Sequence, residues 1–185
     1  MTQEIILTTE RLLLRDFVED DWRAVHEYAV DPEVVRYVEW GPNTEQHTQE
    51  FIARTISQQQ AEPRRQYELA VVLKDTNCLI GACGLRLSRP EHHGGDFGYC
   101  FNRQFWGQGY ATEAARAIVR FGFEQCGLHR IFATCDALNV ASARVLEKLG
   151  MRREGHFLHD KWQRGKWRDS FLYAILVDEW KAGSR

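Results

Sequence analysis

Short runs of apolar residues alternate with longer stretches in which apolar residues recur at helical spacing. Arg11 to Phe17 reads as a first strand. Glu19-Asp20-Asp21 then places acids at a helix start, where they favour the helix dipole. Trp22, Val25, Tyr28 and Ala29 recur along one face of that helix. Asp31-Pro32 signals another start, a side-chain cap and then proline in the first turn, for a short helix stopping near Val38. Asn43-Thr44 caps a longer helix with Phe51, Ile52 and Ile56 on one face and Gln58-Gln59-Gln60 at its solvated end. Tyr67 to Leu73 and Cys78 to Leu87 read as a hairpin turned by Asp75-Thr76-Asn77. A loop from Pro90 to Gly95 leads to a strand from Asp96 to Asn102. Glu113 to Cys126 is amphipathic and Gly127 ends it. A strand from Arg130 to Cys135 and a helix from Asn139 to Leu149 follow, the helix stopped by Gly150. Arg153 to Asp160 and Arg168 to Val177 are two last strands around a turn at Gly165. The order predicts an α/β fold in one domain over residues 1–185, a mixed sheet with helices on both faces.

The most informative stretch is Gln104-Phe105-Trp106-Gly107-Gln108-Gly109-Tyr110-Ala111-Thr112. It follows the apolar run Phe97 to Phe101 and opens into the amphipathic segment. A strand, a glycine loop and a helix start leave several backbone N–H groups unpaired and pointing one way, which suits phosphate. The two glycines let the backbone approach a ligand with no side chain between. A Walker-type loop needs four residues between its glycines and then Gly-Lys-Ser/Thr. Here one residue separates Gly107 from Gly109 and no lysine follows. A dinucleotide fingerprint needs a third glycine where Thr112 stands. Two readings stay open on the loop itself: a cradle for a phosphate-bearing cofactor, and a turn that caps a core helix.

The spacing Gln104-x-x-Gly107-x-Gly109 resembles the pyrophosphate loop of the GNAT superfamily of acetyltransferases. The segment from Asn139 to Met151, with Lys148-Leu149-Gly150-Met151 at its end and Glu154-Gly155 beyond, is similar to a second GNAT signature. Thr9 to Arg15 near the amino terminus and Gly165 to Tyr173 near the carboxyl terminus resemble the RimJ/RimL-like branch. The likeness covers nearly the whole chain. It implies a central, mostly antiparallel sheet and acetyl-CoA as acyl donor, with no metal. It implies that Tyr99, Cys100 and Phe101 offer a strand edge to pantetheine, and that Gly107, Gln108, Gly109, Tyr110, Ala111 and Thr112 wrap the pyrophosphate. Asn139 would cap its helix and hydrogen-bond the pantetheine arm. Many members carry a tyrosine seven residues after this Asn to protonate the departing thiolate; Leu146 stands there and cannot. Ser142 would then donate a hydrogen bond to the sulfur, and Asp96 stands where some members carry a general-base glutamate. Tyr37, Glu39 and Trp40 fall where the acceptor-site loop of the family lies.

The implied reaction is direct attack of a neutral primary amine, on a peptide N-terminus or a small molecule, with the oxyanion held by a backbone N–H near Tyr99 or Cys100. A covalent route through Cys100 would need an adjacent activating base, and none is readable. The missing tyrosine sustains an alternative, a catalytically weak acyl-CoA-sensing module. Monomer and homodimer both occur in this branch.

Bulk properties narrow the partners. The 185 residues suffice to bury about 70% of the unfolded chain's surface. A net charge of −2 gives no general pull toward nucleic acid. Five cysteines without C-x-x-C spacing argue against a disulfide framework or zinc and for a reducing, cytoplasmic setting. Residues 1–20 carry charges throughout, so no signal peptide is read. No apolar run approaches the ~20 residues of a membrane span. His92-His93 points apart in an extended chain and makes no metal site. Lys161 to Arg168 mixes basic and aromatic residues, as nucleic-acid surfaces can, and reads as a solvated hairpin tip or a wall of the acceptor pocket.

Overall fold

The computed structural model describes residues 4–183. The strands are β1 (Ile6–Thr8), β2 (Leu12–Asp16), β3 (Gln66–Leu73), β4 (Leu79–Arg89), β5 (Gly94–Phe101), β6 (Arg130–Asp136), β7 (Arg152–Gln163) and β8 (Lys166–Leu176). They form one sheet in the order β1-β2-β3-β4-β5-β6-β8-β7. Every neighbouring pair is antiparallel except β5 with β6. The helices are α1 (Trp22–Ala29), α2 (Glu45–Gln59), α3 (Tyr110–Glu124), α4 (Val140–Lys148) and α5 (Val177–Gly183).

Alternation along the central strands divides the core in two. Leu69 and Val71 of β3 face one way and pack with Ile118 and Val119 of α3, Leu146 of α4 and Trp180 of α5. Ala70 and Val72 face the other way and pack with Val25, Tyr28 and Ala29 of α1 and Ile52 of α2. Helices therefore cover both faces of a mixed, mostly antiparallel sheet, as the order of elements predicts.

Local signals explain the helix boundaries. Thr44 caps α2 by accepting from the His47 N–H at 3.2 Å. Gly109, with φ +85°, turns the chain into α3. Asp31-Pro32 starts only a 3-10 turn, Val34–Tyr37. Two short elements escape the sequence pattern. β1 has three residues and no buried one. α5 is fused to an apolar run that reads as strand through Val177; Glu179 caps its start by accepting from the Leu176 N–H at 2.8 Å.

Candidate active site

β5 and β6 are paired only from Gly94 to Asp96 against Arg130 to Phe132. Beyond Phe97 the two strands part, leaving one edge of β5 without a strand partner. A cavity of about 830 Å³ opens there. Phe97, Gly98, Tyr99 and Cys100 of β5 line one side and Ala133 to Asp136 of β6 the other. The opening joins the two faces of the sheet: Ser142 and Leu146 of α4 reach it from one, and Tyr28 of α1 with Phe51 of α2 from the other.

At the end of β5 the chain enters the glycine loop. Gly107 has φ +75°, and an added Cβ would meet nothing within 4 Å. Among the described residues, no backbone N–H from Gly107 to Thr112 has an acceptor; the first helical bond is Glu113 N–H to the Gly109 carbonyl at 3.1 Å. These donors are the ones an anion takes at a helix start. The amino-terminal motif braces them. Arg11 pairs with Glu113 at 2.6 Å, donates to the Gln108 carbonyl at 3.0 Å and lies over the Tyr110 ring. Thr9 Oγ1 donates to the same Glu113 carboxylate at 2.6 Å, and these bonds hold its pKa below the usual carboxylate value against the opposing effect of burial.

Tyr99 and Ser142 meet across the opening, with the Tyr99 hydroxyl 3.0 Å from Ser142 Oγ. Burial raises the Tyr99 pKa strongly, so the phenol keeps its proton. Asn139 caps α4, its Oδ1 accepting from the Ser142 N–H at 3.1 Å, and so fixes the serine's position. Burial pushes the Cys100 thiol up to about 12, unsuited to a thiolate nucleophile.

Tyr37, Glu39 and Trp40 line the same cavity. They are held by the β7–β8 hairpin. Arg164 donates to the carbonyls of Arg36, Val38, Trp40 and Gly41 at 3.1–3.4 Å. Gln163 Nε2 donates to the Val38 carbonyl, and Lys161 pairs with Glu39. Lys161, Gln163 and Arg168 are cavity wall. Arg168 bridges to Asp136 at 2.7 Å, and both side chains are nearly buried.

Asp96 and Phe101 are not cavity lining, and neither are residues 107–112 of the glycine loop. Arg86 holds the Asp96 carboxylate in a two-bond pair at 3.1 and 2.9 Å. Phe101 is buried in the core, and its carbonyl accepts from Trp106 Nε1 at 2.8 Å. Sequence reasoning missed Glu68, which lines the cavity from β3. Its signal was legible: a single acid inside the apolar strand Tyr67 to Leu73. Among the described residues, no group of three or more His, Cys, Asp or Glu is arranged to hold a metal ion. No helix among them is long and apolar enough to cross a membrane.

Residues 11–152 match the model of the Acetyltransferase (GNAT) domain. An uncharacterized N-acetyltransferase of Bacillus subtilis, YnaD, is 41% identical over 94% of this chain and 98% of its own. A crystal structure of a GNAT-family acetyltransferase from Bacillus anthracis superposes with a TM-score of 0.84 at 38% identity, covering 94% of this chain and 99% of the other. The [Ribosomal protein uS5]-alanine N-acetyltransferase of Escherichia coli is 29% identical over 59% of this chain and 57% of its own. With the parted strands and the loop of free amides, these likenesses show that the chain belongs to the GNAT family of acetyltransferases.

Proposed function

We propose that the chain transfers the acetyl group of acetyl-CoA to a primary amine by direct attack in a ternary complex, with a peptide α-amine as the favoured acceptor class. The observation that carries this reading is the opening between β5 and β6. It runs along β5, the strand that leads into the glycine loop whose amides at residues 107–112 have no acceptor, and it joins the two faces of the sheet in a cavity with room for a second substrate. Main-chain donors of the loop suit a diphosphate, and the free edge of β5 at Tyr99 and Cys100 suits an amide-bearing arm laid down like an added strand.

Acetyl-CoA supplies the activated acyl group as a thioester. Around it, Asn139 orients the first turn of α4 and Ser142 Oγ presents a hydroxyl at the cavity wall. The Tyr99 hydroxyl stands behind that serine. Together they form a donor pair for a departing thiolate, a task Leu146 cannot perform. A backbone N–H near Tyr99 or Cys100 serves the developing oxyanion. Tyr37, Glu39 and Trp40 form the acceptor wall. The peptide α-amine is favoured by the partial likeness to the uS5-alanine enzyme and by amine chemistry. An α-amine of pKa about 8 is roughly a tenth neutral at pH 7, whereas a lysine amine of pKa about 10.4 is almost wholly charged. Five free cysteines suit a cytoplasmic setting.

Thiol release is followed with acetyl-CoA and a panel of an alanine-initiated peptide, spermidine, an aminoglycoside and benzylamine, with mass spectrometry of the products. The expected result is acetylated amine with stoichiometric thiol, fastest for the peptide. Ser142→Ala and Tyr99→Phe should each lower kcat roughly ten- to a hundredfold while retaining CoA affinity, the size of one charge-assisted hydrogen bond of about 1.5–3 kcal/mol. Tight CoA binding with no thiol release from any amine would instead identify an acyl-CoA sensor.

A further inference from the structure

Glu68 sits opposite Gly84 of β4, and Gly84 sits opposite Gly98 of β5. Directly opposed residues point to one face of a sheet, so the three form a row toward the parted strands. A Cβ added to Gly84 would lie 2.2 Å from Glu68 Oε2 and 2.8 Å from its Cδ. The Glu68 side chain therefore lies across β4 in the space a larger residue would fill. A Cβ added to Gly98 would meet nothing within 4 Å, so the row opens into the cavity that Glu68, Gly98 and Cys100 all line.

We propose that Glu68 takes the proton from the incoming amine, and that Gly84 and Gly98 form the track along which its carboxylate reaches the cleft. This role presupposes the acetyl transfer proposed above. Among the described residues, no hydrogen bond or ion pair claims the Glu68 carboxylate, in contrast to Asp96 with its Arg86 partner. Burial raises the Glu68 pKa from 4.5 to about 7. The titratable groups nearest it electrically are Tyr28 of α1, Cys83 of β4 and Cys100 of β5, all kept protonated by burial. His47, Glu50 and Arg54 of α2 line the same cavity. The remaining charges there, Glu39 with Lys161 and Asp136 with Arg168, are already paired. A base near pH 7 is well matched to an α-amine of pKa about 8.

The step balances as follows. The ammonium gives one proton to the Glu68 carboxylate, which later returns it to solvent. The freed nitrogen lone pair forms the C–N bond at the thioester carbon. The C–S bond breaks with its electron pair on sulfur, and the second nitrogen proton ends on that sulfur by way of the Tyr99–Ser142 hydroxyls.

The test is Glu68→Gln, with Glu68→Asp as the conservative variant, measured three ways. CoA affinity by calorimetry should stay within about twofold of wild type. With the fastest amine of the panel, kcat/KM at pH 7 should fall ~10²–10⁴-fold, and the rise of rate through pH 7 should vanish. Glu68→Asp should restore part of the rate and the inflection. A carbon-13 titration of the Glu68 carboxyl in the CoA complex, which needs no acceptor, should show a midpoint near 7. Glu68→Gln turning over within threefold of wild type with an unchanged pH profile would overturn the assignment, as would a carboxyl midpoint below about 5. Failure of wild type to bind CoA would instead overturn the acetyltransferase reading beneath it.

Discussion

Replacing Gly109 separates the charge of the proposed diphosphate loop from its shape. Gly109 holds φ +85° at the start of α3, and an added Cβ would lie 3.4 Å from Arg11 Nη2. Asn and Asp have nearly the same bulk and both visit the left-handed region, so the pair differ in charge at equal strain. Each should lose roughly 1 kcal/mol of stability relative to glycine. For a separation of about 5 Å between a carboxylate at this point and the proposed diphosphate, and an effective dielectric constant of about 40, between a protein surface and bulk water, one pair of unit charges repels by about 332/(40 × 5), or about 1.7 kcal/mol. Two phosphate charges bring the sum to about 3 kcal/mol, a ~10²-fold loss of affinity. Arg11 does little to relieve it, because its guanidinium is already paired with Glu113 at 2.6 Å. The assay is calorimetric titration of CoA at two salt concentrations, with melting curves for both variants. Gly109→Asn should bind CoA within about tenfold of wild type. Gly109→Asp should bind ~10²-fold more weakly than Gly109→Asn, with the gap narrowing as salt screens it. Equal affinities for the two variants would refute the loop as the diphosphate site.

Other expectations follow from the same geometry. Arg164→Ala removes four hydrogen bonds to the carbonyls of the acceptor wall; KM for the amine should rise about tenfold with CoA affinity unchanged, and hydrogen exchange should quicken at residues 36–41. Equal exchange there in both proteins would show that the hairpin does not brace this loop. Asp96→Asn removes only the pair with Arg86, whose side chain is 61% exposed; stability should fall by less than about 1 kcal/mol and turnover should stay within about threefold. A hundredfold loss would return the base role to Asp96. Glu68 also predicts a pH-dependent stability. Its folded pKa, near 7, lies above the ordinary 4.5, so the folded state holds a proton that the unfolded chain has released. The group's stabilising contribution is complete below about pH 4.5 and lost by about pH 7, a span of at most about 3 kcal/mol. Relative to wild type, Glu68→Gln should therefore melt higher at pH 8 than at pH 5. A gap independent of pH would mean that the carboxyl titrates normally.

The linear pattern went far in this protein because its strongest signals are local. A glycine loop between an apolar strand and an amphipathic helix needs no tertiary contact to be recognised, and residues 107–112 present their amides as that pattern implies. Asn139 and Thr44 cap the helices that follow them because a cap bonds to a backbone group three residues away. The continuous apolar run Leu69 to Leu73 marks a strand buried on both faces, and β3 packs against helices on both sides. The weak point was length: three residues in β1 and seven in α5 give periodicity too little to work with.

Tertiary structure decided whatever depends on strand register and on the meeting of distant segments. Tyr99 and Ser142 lie 43 residues apart and form a hydroxyl pair only because β5 parts from β6 beside α4. Asp96 and Glu68 are both strand acids by sequence, but register pairs Asp96 with Arg86 and sets Glu68 in a row with Gly84 and Gly98. Which carboxylate is neutralised and which stays unclaimed in a cavity follows from the side chain one strand away. Pairing across a sheet is chosen by the burial of the whole face, so a single strand's sequence carries half of that choice and its neighbours carry the rest.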